Sequence, residues 1–168
     1  DVIQVSTGGQ KDPVAAREFF RVEYEMDLAI ADFPKPYICL IDGIVMGGGL
    51  GISVNGRYRV MSEHIMAAMP ETGIGLLPDV GATAFLNQCP GRIGLYLGLT
   101  GARLDAADAM HAGFATHFVT REKQPTLLDA LIAAAYGNDN FAAVDALLDD
   151  FSDNAGPSKL QDRQPDID

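Results

Sequence analysis

Three consecutive glycines, Gly47-Gly48-Gly49, and two loop acids, Glu71 and Asp79, are the residues of this chain best suited to chemistry. Glycine has no side chain, so its backbone can come against a ligand, and it accepts positive φ without steric cost. A strand-like run, Tyr37 to Ile41, and an Asp42-Gly43 turn precede the triplet, and Leu50 to Val54 follow it. The glycines therefore read as the opening of a short buried helix. Free N–H groups at a helix start point outward, and the helix dipole favours negative charge there. A phosphate or a developing oxyanion fits such a place, and one donor aimed at an oxyanion is worth roughly 3 kcal/mol in a transition state. A tight strand–helix contact that needs no side chains accounts for the triplet equally well. The run from Gly47 to Ile52 lacks the last glycine of G-x-G-x-x-G, and no Gly-Lys-Ser/Thr follows it, so nucleotide-binding loops are poor matches.

Glu71 follows Pro70 and precedes a glycine-rich stretch, with Met66 and Met69 nearby. Pro70 fixes its own φ and so helps to aim the neighbouring carboxylate. A carboxylate in apolar surroundings has a raised pKa and can act as base or nucleophile. Asp79 stands eight residues on, between Pro78 and Val80-Gly81. As a helix N-cap it would bond the free N–H groups of the segment starting at Val80. Alternatively both acids face one pocket, one attacking or activating water while the other holds a proton. Other groups read more blandly. Ser53 is one residue short of a G-x-S-x-G elbow and reads as a small core residue. His64, His111 and His117 show no metal-ligand spacing, so no metal is expected. Cys39 and Cys89 make no disulfide framework, which suits a reducing compartment.

The elements that must position these residues follow from pattern. Asp12-Pro13 is a helix start, with Val14, Phe19, Val22, Met26 and Ile30 recurring near helical spacing up to Pro34. Tyr37 to Ile41 reads as a buried strand, Arg57 to Met61 and Ile65 to Ala68 as two more, and Ala115 to Val119 as another. Met69 to Asp79 holds Pro70, Gly73, Gly75 and Pro78, so it is a shaped loop. Val80 to Gln88, Arg92 to Leu99 and Asp105 to His111 read as short helices, the last closed by Gly113. Leu127 to Ala135 and Phe141 to Phe151 are helical, joined by Gly137-Asn138-Asp139. Ser152 to Asp168 is polar and Pro/Asp-rich and reads as a mobile tail. The fold class is α/β. With 168 residues, 48% of them hydrophobic, the chain can bury a core. A net charge of -11 argues against a nucleic-acid partner, and no run approaches the ~20 apolar residues that span a bilayer.

Taken together, Lys35 to Gly43, Met46 to Gly51, Ala68 to Gly75 and Leu99 to Gly113 resemble the crotonase (enoyl-CoA hydratase/isomerase) superfamily. The resemblance runs from about Asp1 to Val119. Within that superfamily, Met69-Pro70-Glu71-Thr72, Pro78-Asp79-Val80-Gly81 and Phe19-Phe20-Arg21 with Glu23-Tyr24 are similar to the 3-hydroxyisobutyryl-CoA hydrolases. The resemblance implies a ββα spiral fold, with residues 1–123 as a partial core and 124–168 as the start of a helical C-terminal region. Asp1 resembles the Asp of a Gly-Gly-Asp stretch, so the first strands, the first oxyanion donor and the covering C-terminal helices are expected outside this chain, which alone would be inactive. It also implies roles: Glu71 and Asp79 as catalytic acids, Gly48 as oxyanion donor, and Glu23 at the substrate. Hydratases of the superfamily carry a second glutamate where this chain has Gly51. Its absence favours thioester hydrolysis over water addition and is expected to leave room for a bulkier acyl β-substituent. The substrate would be an acyl-CoA such as 3-hydroxyisobutyryl-CoA, of which coenzyme A is a part, with no further cofactor. A hydratase or isomerase and a non-catalytic acyl-CoA binder are the alternatives. No membrane partner is expected, a homo-oligomer is compatible, and the location would be cytoplasmic, or the mitochondrial matrix in a eukaryote.

Overall fold

The computed structural model describes residues 12–134, 136–137 and 139–168. The expectations placed on Asp1, on Ala135 and on Asn138 lie outside these. Helix α1 (Pro13–Ala31) starts as its sequence predicts: the Asp12 carboxylate accepts from the N–H groups of Val14 and Ala15 at 3.1 and 3.0 Å, with Pro13 in the first turn. Then come β1 (Ile38–Ile41), β2 (Ile44–Met46), α2 (Gly48–Val54), β3 (Tyr58–Met61) and β4 (Met66–Ala68). A 3₁₀ turn over Glu71–Ile74 leads to α3 (Ala82–Phe85), a second 3₁₀ turn, α4 (Ile93–Thr100), α5 (Ala106–Ala112) and β5 (His117–Phe118). Helices α6 (Gln124–Ala133), α7 (Asn140–Phe151) and α8 (Lys159–Ile167) complete the described chain.

The strands wind as a spiral. Each circuit lays a strand parallel to its counterpart one circuit earlier: β3 on β1, β5 on β3, and β4 on β2. Residue pairs such as Leu40 with Val60, and Val45 with Ala67, set the registers. Parallel neighbours need a crossover, and β2 followed by α2 makes the one from β1 to β3. Side chains of β3 alternate between two cores. Tyr58 and Val60 join Val119, Leu127, Leu131, Val144 and Leu148 under α6 and α7. Met61 joins the larger core with Leu50, Val80, Ile93, Leu97 and Phe114. Among the described residues no helix is long and apolar enough to cross a membrane.

Two expectations change, for the strand Tyr37 to Ile41 and for the stretch 152–168, and α1 turns an acidic residue inward. Strand β1 is half-buried rather than buried, because the order β1-β3-β5 puts it at an edge among the described residues. The apolar stripe of α1 does not face the core: Val14 is 78% and Val22 52% exposed, and Asp27 is the buried residue of that helix. The stretch 152–168 is not a mobile tail. It forms α8, because Ser158 caps the helix and Leu160 fills the large core. The buried Asp108 of α5 secures that start, its Oδ1 accepting from the Ser158 hydroxyl at 2.7 Å and the Leu160 N–H at 2.8 Å.

Asp108→Ala leaves both donors buried and unpaired, and should lower stability by about 2 kcal/mol. Leu160→Ala should cost about 2–3 kcal/mol through the cavity it opens. Urea unfolding of each variant checks both, with a fall in midpoint at unchanged slope as the expected outcome.

Candidate active site

The glycine helix is the centre of the site. Gly47 caps α2 at φ 50° and ψ −121°, a conformation that favours glycine, and the helix runs from Gly48. Gly47 O accepts from the N–H groups of Leu50 and Gly51, so the N–H groups of Gly48 and Gly49 head the first turn. Gly48 itself is exposed and Gly49 half-buried.

Missing side chains let acids approach this helix closely. A Cβ at position 47 would stand 2.8 Å from Glu71 Oε1, and one at 48 would stand 3.1 Å from Glu23 Oε1. The first is closer than real Cβ atoms come, so Glu71 and any side chain at 47 exclude each other. Glu71 heads its 3₁₀ turn behind Pro70 and is only 7% exposed, with Oε2 buried and unpartnered among the described residues. Burial pushes its carboxyl above the ordinary glutamate range. A backbone hydrogen bond opposes this in part, and the charge of Asp79 adds to it.

Asp79 is not a helix cap. Helix α3 starts at Ala82 behind Gly81, with no side-chain cap bond. Instead Asp79 Oδ2 accepts a 3.0 Å bond from the Tyr24 hydroxyl of α1. Burial, and then that bond, push the Tyr24 phenol up to about 12. Glu23, next to Tyr24, is half-buried, and burial followed by the charges of Asp79 and Asp27 raises its pKa. The structure thus gathers the sequence-predicted residues Glu23, Gly48, Glu71 and Asp79 around α2 and the face of α1 beside it.

Sequence reasoning missed Asp27. It lies one helical turn after Glu23 and so on the same face of α1. It is 5% exposed, and neither carboxylate oxygen has a hydrogen-bond partner among the described residues. Burial, then the charge of Asp79, raises its pKa. The i, i+4 spacing from Glu23 was a signal for it, but an acid on a polar helix usually faces water. Asp27 also corrects the expectation at Gly51. A Cβ there would meet Val80 Cβ at 2.6 Å and Asp27 Oδ1 at 3.0 Å, so the place is filled rather than roomy. Val80 is the one non-glycine residue with positive φ among the described residues, at 48°. That is an outlier for a β-branched side chain and costs on the order of 1–3 kcal/mol.

Such an arrangement can hold a developing oxyanion at the Gly48 N–H while the Glu71 carboxylate meets the carbonyl carbon beside it. A family model described as enoyl-CoA hydratase/isomerase matches residues 1–168. The chain belongs to that family. The 3-hydroxyisobutyryl-CoA hydrolase, mitochondrial, of Xenopus tropicalis is 53% identical over 79% of this chain and 34% of its own length. The protein of the same name from Danio rerio is 40% identical over 100% of this chain and 45% of its own. The solved structure of a carnitinyl-CoA dehydratase from Mycobacterium thermoresistibile superposes with a TM-score of 0.90 at 40% identity, covering 100% of this chain and 47% of that one. The crotonase-type fold is therefore shown, and the chain spans less than half the length of these relatives.

Asp27 supplies a stability test. A carboxyl whose folded pKa is raised prefers the protonated form in the folded state. Its destabilisation is absent below the unfolded pKa of about 3.9 and complete above the folded one. Asp27→Asn should therefore raise Tm at pH 7 and have little effect near pH 4. Thermal scans of both proteins across that range check it.

Proposed function

We propose that the intact protein hydrolyses an acyl-CoA thioester, with 3-hydroxyisobutyryl-CoA as the first substrate to try. The observation that carries the reading is the buried Glu71 carboxylate set against the mouth of the glycine helix. Glu71 attacks the thioester carbonyl carbon, or takes a proton from the water that does. The carbonyl oxygen gains charge, and the Gly48 N–H holds it. The C–S bond breaks, and the departing sulfur takes a proton to leave as the free thiol; where Glu71 itself attacked, water then cleaves the resulting acyl anhydride, which frees the acid and restores the Glu71 carboxylate. Asp79, fixed by Tyr24, handles that proton or orients the water. Glu23, whose carboxylate lies against Gly48, receives the acyl hydroxyl. The chemistry needs no cofactor beyond the coenzyme A of the substrate.

Two features favour hydrolysis over hydration. Position 51 carries no carboxylate, and Val80 and Asp27 occupy the place where one would stand. The names of the hydrolase relatives agree with this reading, and their mitochondrial designation suggests the matrix if the source is a eukaryote. A hydratase or dehydratase working through Glu71 is the second reading, favoured by the superposition on a dehydratase structure.

The intact protein should release free thiol from 3-hydroxyisobutyryl-CoA and leave crotonyl-CoA unhydrated. The opposite pattern selects the second reading, and binding without turnover of either points to a non-catalytic acyl-CoA binder. Glu71→Gln should lower thiol release by about 1,000-fold. Because Glu71 acts ionised, kcat should fall as pH drops through a pKa above 4.5, and a limb at or below that value removes the assignment.

A further inference from the structure

The most strained residue of the site is adjacent to one of its acids. Val80, directly after Asp79, is 2% exposed and held at φ 48°, and Gly81 follows at φ 86°. Two successive residues in this region turn the chain sharply. A valine does not rest there unaided, so the surroundings must hold it.

The holding group is the side chain of Asn55, the residue that ends α2. Its Nδ2 donates to Val80 O at 3.1 Å and to Gly51 O at 2.8 Å, tying the turn to the last turn of the glycine helix. Its Oδ1 lies 2.8 Å from where a Cβ at Gly81 would be, so the side chain packs tightly against the turn. Gly51 completes the clasp, since any side chain there would strike Val80. On the other side of the turn Asp79 O accepts from Ala82 N–H at 2.8 Å, and Asp79 Oδ2 takes the Tyr24 hydroxyl.

We infer that Asn55 is a positioning residue, which holds the strained Val80 turn against the glycine helix and so aims the Asp79 carboxylate at the site that the Gly48 N–H heads. The inference rests on the acid role given to Asp79 above. Its physical content is that one short helix carries both parts. The oxyanion donor is at its start, the anchor of the acid loop at its end, and the helix Gly48–Val54 spans about 10 Å between them. A shift of the loop moves the acid relative to the donor without touching the binding of the acyl-CoA.

A double-mutant cycle in the intact protein tests this. Asn55→Asp keeps the shape and removes the donor, and Asn55→Ala removes it without adding charge. Each should lower kcat by about 10- to 100-fold with KM within about twofold, in proteins whose circular dichroism shows them folded. In the Asp79→Asn background either change should cost nothing further, because the group that Asn55 aims is already gone. Wild-type kcat in both Asn55 variants overturns the inference and leaves the hydrolase reading intact. So does a full additive loss in the double variants, or a loss confined to KM. Full turnover in Asp79→Asn alone removes the acid assignment itself, and with it this inference.

Discussion

The site depends on a steric constraint: at positions 47, 48 and 51 the chain has no Cβ. Each missing atom is a place that another element occupies. Glu71 comes against Gly47, Glu23 against Gly48, and Val80 with Asp27 against Gly51. Two segments far apart in sequence, α1 and the stretch 71–80, thereby converge on one short helix. Helix packing normally keeps axes 8–10 Å apart because side chains intervene. Glycine removes that spacing and lets polar groups, rather than apolar ones, make the close contact.

Carboxyls collected in this way repel one another and resist burial. Asp79 contributes to the raised pKa of Glu23, Asp27 and Glu71 alike. Both oxygens of Asp27 and Oε2 of Glu71 are buried without a partner among the described residues. The left-handed valine adds backbone strain in the same few residues. Nothing in folding favours such a cluster, so the rest of the fold must offset it. The two apolar cores, with the side-chain-capped helices α5, α7 and α8 around them, do so. Local features that oppose stability, gathered in one place on an otherwise consistent fold, are the physical mark of a working site.

Much of the frame is legible in the sequence because its signals are local. Asp12-Pro13 starts a helix, Gly113 ends one, and Gly47-Gly48-Gly49 opens the short buried helix, each through its own backbone chemistry. The tail is misread for the same reason. Ser152 to Asp168 looks mobile by composition, yet Asp108, about fifty residues earlier, supplies the acceptor that secures α8. Likewise the stripe from Val14 to Ile30 has helical period, yet Val14, Phe19, Val22 and Met26 stand exposed. The glycine helix instead selects the acidic face of α1.

The sequence by itself determined which groups were available: a glycine-led helix, Glu71 behind a proline, Asp79 before Val80-Gly81, and a motif order that marks the family. Residue type and short-range spacing settle these because caps, turns and proline act within a few residues. Only the tertiary structure decided which acids meet, that Asp79 takes the Tyr24 hydroxyl rather than capping a helix, and that Asp27 belongs to the site at all. It also decided that the place beside Gly51 is closed by Val80 and not open to substrate. Contact between α1, α2 and the acid loop joins residues tens of positions apart, and burial there, with the charge of Asp79, raises the pKa of their carboxyls.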